Sequence, residues 1–478
     1  MKNEKKIIHA AIINLGCKVN KYESDSMKDK LREAGICIVE PDEVADVYIV
    51  NTCSVTNMAQ KKSRQMLRRA KKMNPDAVIV AAGCYVNAEH ETLKNENFVD
   101  IVVSNNCKKD IARIIKEYFL DYRENDYYVD INHTKEYEEM GNLDAAHLDH
   151  QRAYIKIQDG CNQFCSYCII PYTRGRVRSR KPEHIIEEIT RLARKGVKEF
   201  VLTGIHISSY GIDFSNELLQ YDEFMEDIKN ETPAHKGILG LGQLVKAIAK
   251  IPEVERIRLG SLEPRIITKE FLEMIGENDK VCPHFHLSLQ SACNDTLKRM
   301  NRKYTIEEYM EKCELLRSCF DKPAITTDVI VGFPGETEEE FRVTMDNLEK
   351  LKLYEIHVFK YSVREGTLAQ KMDNQVLEKI KGERSDELLL LTKKQKKEYE
   401  DSLKGYTADV LIEECVEKSK VQELRGVEIL DAKGVADDTR KVKSENMQYF
   451  TGHTKRYVKV KVVSDDNMIN QIVKVKIL

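Results

Sequence analysis

Apolar residues in the first part of the chain come in short, nearly continuous runs, separated by longer stretches with helical spacing. Residues 8–15 are the first such run, as expected of a strand buried on both faces. The run stops at Gly16-Cys17, and a helix is predicted over 21–34 with Gly35 as its terminator. Residues 47–50 read as the next strand and end at Asn51-Thr52-Cys53. A helix over 60–72 closes at Asn74-Pro75, and a third strand over 77–82 ends at Gly83-Cys84. This alternation predicts a parallel α/β domain over residues 1–125. From 118 to 150 the chain turns polar and irregular, only 127–131 is strand-like, and 126–149 reads as a linker.

The rhythm then resumes. Strands are predicted at 153–157, 199–203, 256–259, 284–289, 324–331 and 356–361, with helices at 182–195, 242–250, 305–316 and 337–351. Six strand–helix units over 150–400 predict a partial (βα)6 barrel, whose site belongs at the carboxyl ends of the strands. Residues 213–240 are acidic, break the rhythm, and read as a surface insertion. From Gly405 the pattern changes to short alternating strands at 407–412, 421–430, 455–463 and 472–478. That spacing suits a small closed β-barrel over 405–478. The fold class is α/β: a parallel sheet domain, a partial barrel, and a small C-terminal β-barrel.

Composition narrows this picture little. At 478 residues the chain is too long for one core, and 42% hydrophobic with 32% charged residues suits packed domains with a soluble surface. No apolar run approaches a membrane span, and the charged start gives no signal-peptide pattern. A net charge of −3 does not mark a nucleic-acid binder, so RNA contact would need local basic patches. Thirteen cysteines without a secretory signal fit thiols and metal ligands in a reducing cytoplasm better than disulfides.

The cysteines carry the candidate chemistry. Cys161, Cys165 and Cys168 follow a strand end at Cys-x3-Cys-x2-Cys spacing. Soft sulfur selects zinc or iron–sulfur clusters. Structural zinc wants a fourth ligand, usually from a second pair, and none follows here. Three thiolates suit a four-iron cluster with one open iron; zinc and inert thiols are the alternatives. Cys17, Cys53 and Cys84 each lie just beyond a predicted strand. In a parallel sheet those ends share one edge, so the three can converge on a site, or they are simply small buried side chains. Cys37 and Cys107 fall outside both sets and read as structural or incidental.

Candidate RNA contacts are Arg174, Arg176 and Arg178 beyond the cysteine loop, Arg299 and Arg302 farther on, and Lys455, Arg456 and Tyr457 in the tail. The arginines of the first group could instead pair with carboxylates inside the barrel. Lys61, Lys62, Arg64, Arg68, Arg69, Lys71 and Lys72 form a further charge run, either a solvated face or a phosphate contact.

The loop Asp159-Gly160-Cys161-Asn162-Gln163-Phe164-Cys165-Ser166-Tyr167-Cys168 resembles the signature of radical S-adenosylmethionine enzymes. Gly16-Cys17-Lys18-Val19-Asn20, Asn51-Thr52-Cys53-Ser54-Val55-Thr56 and Gly83-Cys84-Tyr85 resemble the amino-terminal domain of the methylthiotransferases within that superfamily, and the tail resembles the RNA-binding TRAM domain. The resemblance spans nearly the whole chain. It implies two 4Fe-4S clusters, one per cysteine triad, and S-adenosylmethionine used twice per turnover: once to methylate sulfur at the auxiliary cluster, once to be cleaved to a 5′-deoxyadenosyl radical. It implies cofactor contacts from Tyr167, Thr203, Gly204, Ser261, Glu263 and Gln290; Ser and Gln at strand ends otherwise cap turns. His206 is expected to be a packed or hydrogen-bonded histidine. Cys17-Lys18-Val19-Asn20 and Thr203-Gly204-Ile205-His206 are similar to the branch that acts on N6-threonylcarbamoyladenosine 37 of tRNA. Other branches act on N6-isopentenyladenosine or on a ribosomal-protein aspartate, and a zinc-containing RNA-binding protein is the non-enzymatic alternative. Implied partners are the tRNA anticodon stem-loop and a flavodoxin- or ferredoxin-type reductant, for a cytoplasmic monomer that touches no membrane.

Overall fold

The computed structural model describes residues 7–120, 124–141, 143–147, 151–214, 236–276, 278–430 and 447–478. The first sheet has six parallel strands in the spatial order Cys37–Val39, His9–Asn14, Val47–Thr52, Val78–Gly83, Ile101–Val103 and Asp126–Tyr127. Val47–Thr52 and Val78–Gly83 are buried along their whole length, which is why they read as unbroken apolar runs. Alternate residues serve opposite layers. Ala10, Ile12, Ile49 and Val80 pack with Tyr22 and Met27 of the helix Lys18–Glu33. Ala11, Tyr48, Val50 and Ile79 pack with Leu67 and Ala70 of the helix Asn57–Met73. The strands Cys37–Val39 and Ile101–Val103 are too short to carry a period, and both escape the hydrophobic pattern. The segment expected as a linker is packed: Ile131, Met140 and Leu143 are buried, and Asp126–Tyr127 extends the sheet itself.

In the central domain Arg152–Lys156, Glu199–Thr203 and Arg256–Leu259 pair in parallel, as do His284–His286, Ala324–Val331 and Glu355–Lys360. Isolated bridges at Ile257–Val281 and Leu262–Leu287 join the two halves. Among the described residues no pairing joins the last strand to the first, so the barrel is partial. Ala153, Ile155, Phe200, Leu202, Ile257 and Phe285 face the surrounding helices and form the apolar layer. The alternate positions, including Arg152, Glu199, Arg258, His286, Asp328 and His357, line a polar interior. The helix Lys18–Glu33 of the first domain lies against the strand Arg152–Lys156.

The helix Glu378–Ser402 packs on the last barrel strand and is not evident in the residue pattern. It buries Lys381, Arg384, Thr392 and Gln395 alongside Leu388, so its inner face is written largely in polar residues. The helix Lys236–Ala249 begins before the expected residue 242. Residues 215–235 of the acidic insertion lie outside the described residues.

The tail is a closed barrel in the order Thr407–Val416, Gln448–Thr454, Lys459–Ser464, Arg425–Ile429 and Ile472–Ile477. Its docking corrects one expectation. Residues 455–457 form a turn, with Tyr457 at φ +64°, and this turn plugs the amino-terminal mouth of the central barrel. The Tyr457 ring stacks between His284 at 5.0 Å and His453 at 4.5 Å, and the Arg258 and Arg152 guanidinium groups lie 4.7 and 5.2 Å from its centroid. Lys455 Nζ donates to the Asp279 carbonyl at 2.8 Å, and Arg456 Nη2 to the Asp321 carbonyl at 2.7 Å. These three residues, expected on RNA, are spent on the domain interface.

Candidate active site

The cysteine loop is fixed from several sides. Gly160 sits at φ +71°, and a Cβ there would come within 1.8 Å of the Arg176 carbonyl, so only glycine fits. Cys161 N–H donates to the Gly175 carbonyl at 3.0 Å, and Ser166 Oγ to the Arg299 carbonyl at 2.8 Å. Asn301 Nδ2 donates to the Phe164 carbonyl at 2.9 Å, which holds Phe164 in its left-handed conformation. Burial pushes the Cys161 thiol up to about 11 and the Cys168 thiol up to about 12, and the nearby Cys165 sulfur adds to both. Arg302 Nη1 donates to Cys165 Sγ at 3.2 Å.

Cys17, Cys53 and Cys84 meet at the carboxyl edge of the first sheet. Gly16, at φ +94°, lets its own chain approach so closely that a Cβ would fall 2.8 Å from Cys53 Sγ. Asn20 Nδ2 donates to the Leu15 carbonyl at 2.6 Å and the Thr52 carbonyl at 2.9 Å, locking the loops of Cys17 and Cys53 together. Thr52 Oγ1 donates to the Ala82 carbonyl at 2.6 Å and receives Tyr85 N–H at 3.2 Å, which brings in the loop of Cys84. Burial raises the Cys53 thiol to about 11, with Cys84 and Cys17 adding to it. Cys17 opens onto the interior, yet protein crowds it enough that its thiol is pushed up too.

One buried ion network joins the two triads. Arg174 Nε donates to Cys84 Sγ at 3.1 Å, Nη2 to Asn20 Oδ1 at 2.7 Å, and Nη1 to Glu23 Oε1 at 2.8 Å and Asp159 Oδ2 at 3.1 Å. Lys108 meets Glu23 at 2.6 Å, and Lys156 meets Glu23 at 2.7 Å and Asp159 at 2.6 Å. Burial alone would raise the Glu23 and Asp159 carboxyls, but Arg174 and the lysines hold both well below the usual carboxylate range. Arg178 also approaches Asp159, at 3.9 Å.

Residues 155–348 match the Radical SAM superfamily model, and residues 9–104 match an uncharacterized protein family, UPF0004. The threonylcarbamoyladenosine tRNA methylthiotransferase MtaB of Bacillus subtilis (strain 168) is 38% identical over 98% of this chain and 93% of its own. The chain belongs to the radical S-adenosylmethionine tRNA methylthiotransferases. The tRNA-2-methylthio-N(6)-dimethylallyladenosine synthase of Thermoanaerobacter pseudethanolicus is 36% identical over 86% of this chain and 83% of its own. In fold, the chain is similar to the radical S-adenosylmethionine methyltransferase TsrM of Kitasatospora setae, with a TM-score of 0.51 and 15% identity over 73% of this chain and 72% of that one.

The cofactors of this methylthiotransferase are those of its family, S-adenosylmethionine and 4Fe-4S clusters. The donor sets fit them. Four buried cations, Arg174, Arg178, Lys108 and Lys156, directly face two carboxylates beside Cys84. Three thiolates carrying a cluster would add negative charge there, which balances the excess. A cavity of about 320 Å³ lies over the other triad, lined by Cys161, Cys165, Cys168, Tyr167, Ser261, Glu263 and Gln290. Val55 and Thr56, just beyond Cys53, close it from the first domain. His206 also lines it: its Nδ1 pairs with Ser209 Oγ at 2.7 Å, while Nε2 is buried without a partner. Burial lowers this imidazole to about 4, so it is neutral at pH 7 and offers an unused polar atom to a ligand.

The methylthiotransferase departs from several expectations. Thr203 and Gly204 do not line the cavity. Thr203 is buried, and Gly204 packs so closely on the Gln158 carbonyl that a Cβ would stand 2.9 Å from it. The following Ile205 and His206 line the cavity in their place. Arg174 and Arg178 are 0% and 1% exposed and cannot reach a phosphate. Arg299 is held by Glu340, with Nη1 on Oε1 at 2.9 Å, and Arg302 is occupied by Cys165 and the Ser288 carbonyl. Of the eight residues expected on RNA, Arg176 stays exposed, stacked 4.2 Å from the Phe164 ring centroid. Gln290 adopts φ +74° because its N–H and carbonyl bridge to Asp328 and Ile330, a strained position no residue pattern signals.

Proposed function

We propose that this enzyme converts N6-threonylcarbamoyladenosine at position 37 of tRNA to its 2-methylthio derivative. The observation that carries the reading is a cavity lined by one cysteine triad and closed by Val55 and Thr56, just beyond Cys53 of the other, in a chain 38% identical over nearly its whole length to a threonylcarbamoyladenosine enzyme. Cys161, Cys165 and Cys168 would hold the cluster that engages S-adenosylmethionine, and Cys17, Cys53 and Cys84 would hold the auxiliary one. When bound, these groups supply the oxidising power to open an unactivated C–H bond and the sulfur to fill it.

The chain's own residues bind, orient and shield. Arg302 and Arg174 each direct an N–H at one sulfur of a triad, which sets its orientation. Ser261, Glu263, Gln290 and Tyr167 present polar and aromatic surface for S-adenosylmethionine, and His206 Nε2 adds an uncommitted donor or acceptor. Glu263 is partly occupied, accepting from Arg265 Nε at 2.7 Å, which fixes its rotamer. The adenine must leave the anticodon-loop stack to enter, as single-stranded RNA recognition generally requires. The exposed Lys61, Lys62, Arg68, Arg69 and Lys72 lie on the helix whose first residues follow Thr56 at the cavity, and they would hold the anticodon stem-loop. A flavodoxin- or ferredoxin-type protein would deliver the electrons, and the enzyme would act on tRNA as a cytoplasmic monomer. Among the described residues no helix is long and apolar enough to cross a membrane.

The test is mass spectrometry of tRNA nucleosides from a strain lacking the gene, with and without complementation. The 2-methylthio-threonylcarbamoyl nucleoside should vanish while its precursor accumulates. Its persistence beside loss of the isopentenyl counterpart would move the target to the other tRNA branch.

A further inference from the structure

The barrel interior beneath the cysteines is rich in charge, and nearly all of it is paired. Arg258 Nε and Nη2 donate to the Glu199 oxygens at 2.8 and 3.1 Å. Arg256 donates to the His453 and Asp409 carbonyls at 3.0 and 2.9 Å. Arg152 meets Glu413 and donates to Tyr457 Oη at 3.0 Å. Lys18 is the exception. It opens the helix Lys18–Glu33, which packs on the barrel strand Arg152–Lys156, and its ammonium feels Arg258, Arg152, Glu199 and Asp328 in this interior, yet among the described residues it makes no hydrogen bond or ion pair. Its side chain is open to the space it faces. Asp328, one of its electrostatic neighbours, also lines the cavity over Cys161, Cys165 and Cys168, so the two spaces adjoin.

Around Asp328 the wall is polar. The ligating atoms of His286, Asp328 and His357 all lie within 4.8 Å of one another. His286 Nδ1 meets Thr326 Oγ1 at 3.0 Å, and its ring stacks on His357 at 5.7 Å between centroids. A neutral hydrocarbon substituent would leave these polar atoms unsatisfied. A group bearing a carboxylate, a hydroxyl and urea N–H and carbonyl groups would.

We infer that Lys18 anchors the carboxylate of the substrate's N6 substituent, and that the chamber it shares with His286, Asp328 and His357 is a subsite for that anionic group. The inference rests on the substrate reading above. Adenine supports the geometry: C2 and C6 flank N1 on one edge, so an orientation that brings C2 to the neighbourhood of Cys17 brings the N6 substituent beside it. Lys18 adjoins Cys17 in the chain, and an unpaired ammonium in an enclosed space gains most from a partner that arrives with the ligand. The same ammonium disfavours a neutral hydrocarbon substituent, which would desolvate it without compensation.

The experiment uses the full chain loaded with iron, and anticodon stem-loop RNAs carrying the threonylcarbamoyl nucleoside, its methyl ester, or isopentenyladenosine. The unaltered enzyme should prefer the free acid to the ester by about tenfold or more in kcat/KM, expressed in KM. Lys18→Met should abolish that preference, and Lys18→Arg should retain it. Equal turnover of acid and ester by the unaltered enzyme, or an acid-over-ester ratio that survives in Lys18→Met, would overturn the subsite. If Lys18→Met fails to load iron, the acid and ester comparison on the unaltered enzyme decides alone. An unaltered enzyme silent on both threonylcarbamoyl RNAs but active on the isopentenyl RNA overturns the substrate reading instead.

Discussion

Arg174 is where the two triads meet at the scale of a single residue. Its guanidinium touches Cys84 on one side and Asp159, two positions before Cys161, on the other. The proposed function gives the triads separate duties, and substitutions should split them. Cys161→Ala should abolish S-adenosylmethionine cleavage. Cys53→Ala should leave cleavage in place while stopping methylthio insertion, as seen by following 5′-deoxyadenosine and modified RNA in one reaction. Full methylthiolation by Cys53→Ala would contradict the division. The cysteines are legible in the residue pattern, because parallel strands end on one edge and turns follow those ends. Arg174 is not. Its partner Glu23 lies 151 positions away, and a run of arginines looks the same whether it faces phosphate or a buried carboxylate.

At the scale of elements, the strands and helices that carry strong periodicity are predictable, and those whose faces are built from polar stems are not. The helices Ile306–Cys319 and Glu338–Leu351 open on Thr305 and Thr337, each closing a capping box with the glutamate three residues on. Glu378–Ser402, lacking an apolar stripe, gives no such signal. The helix Asn57–Met73 shows how charge divides along one element. Arg64 and Lys71 turn inward to Glu96 and Asp100, at 2.7 and 3.2 Å, while Lys61 and Lys62 stay exposed. Replacing Lys61 and Lys62 with Ala should weaken tRNA binding and reduce the slope of log K against log salt by roughly 1–2, at unchanged fold. An unaltered slope in filter-binding titrations would remove this helix from the RNA interface.

For the whole molecule, the tail does more than supply a surface. Tyr457 is clasped by two imidazoles and two guanidinium groups at the floor of the central barrel. Each stacked or cation–π pair contributes roughly 0.5–1.5 kcal/mol beyond burial. Tyr457→Ala should therefore uncouple the C-terminal barrel, which calorimetry would record as a separate transition at lower temperature. A single transition at the original temperature would show that docking rests elsewhere.

The network around Glu23 has a bearing on how the protein is made. Glu23 leaves the ribosome early, followed by Lys108, but Lys156 and Arg174, which complete its charge balance, are still to be translated. A buried carboxylate with two of its three cationic partners missing is costly to enclose. The first sheet therefore cannot close its carboxyl edge as a nascent unit, and the auxiliary triad takes its final shape only once the loop of the second triad has been synthesised. Iron delivered during translation finds one site unfinished until the other exists, and a fragment ending near residue 125 should express as a loosened domain unable to retain a cluster.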